Sequence, residues 1–526
     1  MHFPFRLRLP SLKRVQRASL SVIALLAGLP SLLCARDFTV AVYNVENLFD
    51  ADGVAAYDDY KPHLYKPAHL RTKLLNTAEA VSRLTNDGKG PDIILFQEVE
   101  ADQTPSRTPV DLHALIAPDA GRKVADLLPS DPASSLDPNH ADWPSEAWLL
   151  KALEDRGLTG YSVVVGSDAA APGERFSPAI KNVIFTRFPV LEVRQHPLKS
   201  ARNIVEVLVT VDGAKLRLFA NHWKSGASDP KTEKARVENA RVLRARLDAV
   251  FAEDPQCDVI LGGDFNSQYN QSERYPQMGE TGINSVLRSQ GNETLLPKGG
   301  ADLYNLWYEL PVPARGSDVY QGEWGTLMQM IVSRGLYDGA GVQYVDNSFR
   351  VAKLPGLNAT GTGMPRRWVR ADGPAGSGCS DHFPIVASFT TRPVTAATRS
   401  TWITLSNPSL GAPAPEPVRT KLSYSELRAS ALDLESIPAN ANLRDGSFTG
   451  KIIRVSGARV LTNKSPIKVI VRKADWEVYL PDPELRKALA STWQKDEEVA
   501  FYGEVGQYKG RWQFVIREAG WLLKSK

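Results

Sequence analysis

Apolar residues recur along the chain with two periods, one helical and one extended. Leu70, Leu74, Ala78 and Val81 fall at helical spacing, Gly90-Pro91 breaks that helix, and DIILFQEV (92–99) then reads as a buried strand. Ala240, Leu243, Leu247 and Val250 repeat the helical pattern ahead of CDVILGGDFN (257–266), whose apolar run 259–261 reads the same way. Further strand patterns are DFTVAVYNV (37–45), YSVVVGS (161–167), NVIFTRFPVLEV (182–193), IVEVLVTV (204–211), KLRLFANHW (215–223), LMQMIVS (327–333) and HFPIVASF (382–389). Mixed strands with interspersed helices predict an α+β body across 37–390, two packed sheets with helices outside. Residues 101–148 and 267–300 carry few periodic signals and read as excursions.

The pattern changes after HFPIVASF. GAPAPEPV (411–418) is Pro-rich and suits a stiff linker. A short helical segment, SYSELRASAL (423–432), precedes FTGKIIRVSGARVL (448–461), IKVIVRKADWEVYL (467–480), a helix-like PELRKALA (483–490) and EEVAFYGEVGQYKGRWQFVIREAGWLL (497–523). These predict a small all-β unit with one intervening helix, which resembles an OB fold. Four units are therefore expected: 1–35 a signal peptide, 36–395 a catalytic domain, 396–440 linker and short helix, 441–526 an OB-fold-like barrel.

Composition alters this picture at both ends. The 526 residues, 43% of them hydrophobic, allow two or three globular units. Arg6, Arg8, Lys13, Arg14 and Arg17 precede an apolar run, 20–34, too short for a comfortable membrane span, and Ala35 offers a small residue for cleavage. A secreted or periplasmic protein with no integral membrane segment after cleavage is expected. Removing 1–35 turns the formal +4 of the whole chain into 58 Lys and Arg against 59 Asp and Glu. The remainder is uneven, with 19 basic against 14 acidic residues in 401–526 and 39 against 45 in 36–400. An acidic body with a basic tail fits a metal site in one and polyanion contact in the other. Cys257 and Cys379 are expected as free thiols, since extended chain from the motifs that follow them would hold the sulfurs far apart.

Candidate chemistry sits at strand ends. Asn44 and Glu46 follow FTVAVY, Gln97 and Glu98 follow DIILF, and Asn221, His222 and Lys224 follow LRLFA. Asp264 and Asn266 follow VILGG, and Ser380, Asp381 and His382 precede FPIVASF. Each group alone has an ordinary structural role open to it, as a turn, a cap or a surface acid. Five strand ends of this kind are better read as one polar constellation at one end of two sheets.

YNVENLFD, FQEVE, NHWKS, GGDFNS and SDHFPIV, in that order, resemble the endonuclease/exonuclease/phosphatase family, the fold shared by pancreatic deoxyribonuclease and abasic-site endonucleases. The resemblance covers 37–390 and is nearest to bacterial extracellular nucleases, through NHWKS. It implies a four-layered α/β sandwich and metal-dependent phosphodiester hydrolysis. Mg²⁺, with Mn²⁺ or Ca²⁺ as alternatives, would be held by Glu98, Asn44 and Asp381, since hard cations favour oxygen ligands. Asp264, Asn266, His222 and His382 would be catalytic, with the general acid left open between the histidines. Asn221, Lys224 and Ser380 would bind substrate.

One position departs from the family. In GEWGTLMQMIVSRGL (322–336), Met328 stands where the family places the aspartate that orients the histidine matched by His382; Asp318 and Glu323 are nearby acids without the required spacing. The expected activity is a nuclease on DNA or RNA, its barrel contacting the polynucleotide through Trp476, Tyr479, Tyr508 and Trp512, with Tyr502, Lys451, Arg454, Arg472 and Lys473 as further candidates. The alternatives are a lipid or inositol phosphate phosphodiesterase and, through Met328, a catalytically weak nucleic-acid-binding protein. Nothing implies an obligate protein partner.

Overall fold

The computed structural model describes residues 35–103, 111–166, 178–320, 322–393, 422, 424–444, 448–508 and 511–523. The expected signal segment, save Ala35, and the Pro-rich linker lie outside the described residues. No helix among the described residues is long and apolar enough to cross a membrane.

Two mixed sheets face each other. The first contains β1 (Asp37–Leu48), β2 (Ile93–Glu100), β3 (Ser162–Val165), β4 (Ile180–Thr186), β13 (Gln343–Tyr344) and β15 (Ile385–Thr390), in the order β13-β15-β1-β2-β4-β3, with β14 (Arg350–Val351) also on β15. The second contains β5 (Val190–His196), β6 (Arg202–Val211), β7 (Ala214–His222), β8 (Val259–Asp264), β9 (Leu303–Asn305) and β12 (Met328–Ser333), in the order β5-β6-β7-β8-β12-β9. Each sheet has one parallel pair at its centre, β1 beside β2 and β7 beside β8. The carboxyl ends of these four strands carry Asn44, Glu98, His222 and Asp264.

Alternation sorts the core into layers. Val40, Val42, Ile93 and Leu95 point between the sheets and meet Leu218, Ala220, Ile260 and Met330. Ala41, Tyr43, Ile94 and Phe96 point outward onto Leu70, Leu74 and Ala78 of α1 (Pro67–Ser82) and onto α2 (Ser145–Glu154). On the opposite outer face, Phe219, Val259 and Leu261 pack against Leu243, Leu247 and Val250 of α3 (Pro230–Glu253). The central strands are apolar on both faces because both faces are covered. α1 and α3 start on proline, whose missing N–H costs nothing at the first helical position, and Asp229 caps α3 through a bond from Lys231 N. The four-layered α+β sandwich is as expected, and α2 begins at the end of one of the two segments read as excursions and runs beyond it.

The C-terminal unit is a closed five-stranded barrel. β17 (Ile452–Thr462), β18 (Ile467–Val471), β19 (Ala474–Tyr479), β21 (Arg511–Val515) and β20 (Glu498–Tyr508) pair in that order, and β20 returns to β17. A helix, Pro483–Thr492, lies between β19 and β20. IKVIVRKADWEVYL forms a hairpin: Arg472 and Lys473 both take left-handed backbone (φ 50° and 64°), the conformation of a type I′ turn usually given to Asn-Gly. Cys257 and Cys379 are free.

Candidate active site

Backbone strain aims the acids. β1 and β2 keep parallel register through Asn44 and Gln97, then slip. At the slip, Glu46, Asn47 and Glu98 have φ of 49°, 58° and 64°, and Asn266 after β8 has φ 48°. Non-glycine residues occupy that region at a cost of about 1–3 kcal/mol each and cluster at functional sites. Here the slip turns Glu98 into the cleft between the sheets.

Glu98, His222 and Asp264 converge. One ligand atom from each lies within 4.8 Å of the others. Asn44 fixes the two acids: its Nδ2 donates to Glu98 Oε1 at 2.9 Å and to Asp264 Oδ2 at 3.1 Å. Asn47 N donates to Glu98 Oε2 at 3.1 Å, and Asn266 N to Asp264 Oδ1 at 2.9 Å. His222 Nε2 stands 3.8 Å from both acids. Burial, with Asp381 nearby, raises the Glu98 carboxyl above its ordinary range. Two carboxylates and an imidazole so close together form a site able to hold a divalent cation.

This changes the expected ligand set. Asn44 Oδ1 accepts from Glu46 N at 2.9 Å, so its nitrogen, not its oxygen, faces the cluster. Asn44 therefore positions the acids. Asp381 is outside the cluster; its Oδ1 is 3.7 Å from His382 Nε2 and its Oδ2 is 4.0 Å from an Arg367 nitrogen. His222 takes its place among the three.

The histidines are driven apart. Burial, with Arg202 and His382 nearby, pushes His222 well below its ordinary value, leaving a neutral imidazole. Burial also opposes a charge on His382, but Asp381, Asp264, Asp318 and Glu98 outweigh it and push its pKa up to about 9. His382 Nε2 lies 3.6 Å from Asp264 Oδ2.

Met328 is fully buried between the sheets, directly across from Asp264 in the β8–β12 pair. Asp318 nevertheless acts on His382 through its charge, although His382 Nδ1 has no hydrogen-bond partner. Asp318, at the start of β10 (Asp318–Tyr320), forms an isolated antiparallel bridge with His382, and its Oδ1 accepts from Leu327 N and Ser317 Oγ. Its spacing along the chain concealed this, since it reaches the cleft from a neighbouring hairpin. Gly325 across the hairpin leaves room: a Cβ there would meet Asp318 Oδ2 at 2.1 Å.

Three other expected contacts are corrected. Asn221 alternates with His222 onto the helix-covered face, where it donates to Phe219 O and accepts from Trp223 Nε1, away from substrate. Ser380 is buried, its hydroxyl donating to Asn44 O at 2.7 Å and accepting from His382 N, so it braces the two motifs. Trp476, 1% exposed, stacks on Phe514 in the barrel core and has no free face. Lys224 is half-buried beyond β7, and Asn266 Nδ2 donates to Trp223 O. Tyr479 and Tyr508 are exposed, and Trp512 is partly buried against the barrel core. Arg472 is spent on backbone carbonyls of Leu434, Ile437 and Pro438, and Arg454 on Asp433.

Sequence reasoning passed over the cations. Arg367 donates twice to Glu46 Oε1, at 3.0 and 2.6 Å. Lys73 is buried, and its Nζ donates to Glu46 O at 3.1 Å and Cys379 O at 2.5 Å, joining α1 to both motif loops. A lysine on the apolar stripe of α1, beside Leu70 and Leu74, was the available signal. Arg202 pairs with His222 across β6 and β7.

Residues 177–391 match the model described as the Endonuclease/Exonuclease/phosphatase family. No curated protein matches the chain. Among solved structures the chain is similar to a D. rerio TDP2 humanized by 14 mutations, at 14% identity and TM-score 0.36 over 67% of this chain and 98% of that one. It is similar to an endonuclease/exonuclease/phosphatase family protein from Bacteroides thetaiotaomicron, at 14% and 0.36 over 68% and 96%. The human Nocturnin catalytic domain with bound sulfate gives 13% and 0.34 over 67% and 94%.

Proposed function

We propose that the chain, whose residues 177–391 match the endonuclease/exonuclease/phosphatase family, is a hydrolase of phosphoester bonds and, more narrowly, a secreted or periplasmic nuclease dependent on a divalent metal. The carrying observation is the meeting of Glu98, His222 and Asp264 at the carboxyl ends of three central strands. Mg²⁺ is the favoured ion because two carboxylates dominate the cluster. Bound there, the cation would offset charge on the phosphate oxygens.

The protein's own groups then divide the work. Asp264, held by Asn44 and Asn266, orients or deprotonates the attacking water. His382 carries a proton beside the cleft and delivers it to the leaving oxygen, with the charge of Asp318 among those that favour its protonated form. Asn266 and Lys224 border the phosphate, and Arg202 adds positive charge. The barrel is read as an OB-like module that holds the polynucleotide through Tyr479 and Tyr508, 43% and 54% exposed, with Trp512 between β20 and β19. An Arg486 guanidinium lies 5.2 Å over the Tyr479 ring.

The test incubates the chain, without residues 1–35, with plasmid DNA, RNA and a phospholipid, with Mg²⁺ or chelator. Chelator-sensitive cleavage of nucleic acid, lost in Glu98→Ala and in Asp264→Ala, is expected. Cleavage undiminished in both variants refutes the site, and hydrolysis of the phospholipid alone refutes the substrate class. Cell fractionation should recover the processed chain outside the cytoplasm.

A further inference from the structure

The barrel is fastened to the loop that carries the last motif. Gly361 N donates to Gly450 O at 2.6 Å, and Thr362 Oγ1 to Glu504 Oε2 at 3.1 Å. Between loop and barrel lies a cavity of about 480 Å³, within the range of small-ligand pockets. Asp381 and His382 line it from the catalytic side, and Thr449, Gln507 and Gln513 from the barrel.

Six polar atoms of residues lining this cavity are buried without a hydrogen-bond partner: Arg366 Nε, Asp372 Oδ1, Asp381 Oδ1, His382 Nδ1, Thr449 Oγ1 and Gln507 Oε1. Each such atom costs about 1–3 kcal/mol if left unmet. They come from both the catalytic-side loop and the barrel, which points to one shared partner rather than unrelated defects. That partner must both donate and accept hydrogen bonds. It need not be an anion, because two of the three lining arginines are already matched and acids outnumber the third, Arg366. Arg517 pairs with Glu504 at 3.0 Å and Arg367 with Glu46 at 2.6 Å, while Asp318, Asp372 and Asp381 add acids to the lining. A phosphate or inositol phosphate would face carboxylates there.

We propose that this cavity takes the nucleobase next to the scissile phosphate, read by the side-chain amides of Gln507 and Gln513 with Arg366 and Thr449. The inference rests on the nuclease reading and assigns it a base-selecting subsite. A neutral base edge presents the required donors and acceptors, and paired amide contacts of this kind discriminate between bases. The position beside His382 puts the base within one nucleotide of the chemistry.

The experiment digests a random single-stranded oligonucleotide pool with the full processed chain and Mg²⁺, then sequences the product ends. Wild type should favour one base about tenfold at a position adjoining the cut. Gln507→Leu and Gln513→Leu should each flatten that preference to within about twofold, whereas Lys495→Ala, on the exposed barrel surface, keeps it. Thermal melting accompanies each variant, and Thr449→Val supplies the readout if Gln507→Leu melts early. A flat wild-type profile, or an unchanged profile in all three cavity variants, overturns the subsite and leaves the nuclease reading standing. Failure of wild type to cut the pool while it hydrolyses bis(p-nitrophenyl) phosphate overturns the nuclease reading, and the subsite with it.

Discussion

Gly262 and Gly263 are adjacent, yet replacing each with alanine should damage different properties. Gly262 points between the sheets, where a Cβ would meet Val42 Cγ2 at 2.8 Å and Leu95 Cδ2 at 2.9 Å. Both are ends of side chains that can shift by a few tenths of an ångström. Overpacking of that kind costs about 1–3 kcal/mol and should leave the strand ends in place. Gly263 is another matter. Its φ is 147°, and a Cβ would stand 2.0 Å from Asn221 O and 2.7 Å from Asn221 C, both backbone atoms of the neighbouring strand.

Relief at Gly263 requires β7 and β8 to part by on the order of 1 Å, the size of misplacement that costs roughly a hundredfold in rate. The strain falls where His222 and Asp264 are register partners and where Trp223 N donates to Asp264 O at 3.0 Å. Gly263→Ala should therefore lower kcat on plasmid DNA about a hundredfold, with a fall in melting temperature. Gly262→Ala should melt earlier by several degrees and keep kcat within about threefold, as expected for a loss of about 1–3 kcal/mol. Steady-state cleavage assays and calorimetry on both variants decide this. Retention of kcat within twofold in Gly263→Ala, or equal losses in the two, would refute the placement of the catalytic groups by this strand pair.

Asp318→Asn should cut kcat tenfold or more with little change in KM, and adding Met328→Asp should restore part of it; if the pair shows no rescue in cleavage assays, Asp318 does not back His382. Mg²⁺ at about a hundred times its dissociation constant should stabilise the fold by about 2.7 kcal/mol; a thermal shift that survives in Glu98→Ala and Asp264→Ala would place the ion elsewhere. Burial opposes ionisation of Glu206, but bonds from His196 and Arg246, with the charges of Arg217 and Arg246, hold its pKa down to about 2. That stabilisation, on the order of 2 kcal/mol, is complete above the ordinary value of 4.5 and fades as pH falls toward 2. Glu206→Gln should flatten this acid limb in pH-dependent denaturation, and an unchanged slope would show that other groups set it.

The strand ends were legible because each motif couples a continuous apolar run to a polar tail, and buried central strands impose that pattern. DIILFQEV and VILGGDFN could be placed without any tertiary contact. What stayed hidden depends on facing or on distance. Asn221 shares a block with His222, and only alternation separates the residue in the cleft from the one under α3. Trp476 and Tyr508 look alike as aromatics in a barrel, but one fills the interior while the other is exposed. Asp318 is further from reach, since its role needs a hairpin to fold back onto His382. The hairpin at Arg472-Lys473 lacked the glycine that usually announces it.

A charge imbalance explains why the motifs alone did not yield the site. Among the motif residues in the cleft, Glu46, Glu98, Asp264 and Asp381 are acids, and burying them together is unfavourable unless positive charge reaches each. Arg367 meets Glu46, and Lys73 braces the backbone beside it, both from outside any motif. Asp381 remains partly exposed, within reach of Arg367 and His382. Glu98 and Asp264 receive only an amide and two backbone N–H groups besides the nearby imidazoles. Neutral His222 supplies no charge to them, and His382 contacts Asp264 at 3.6 Å from one side. The positive charge still lacking is therefore greatest at the Glu98–Asp264 pair, which is why the proposed cation is assigned to that pair rather than to Asp381.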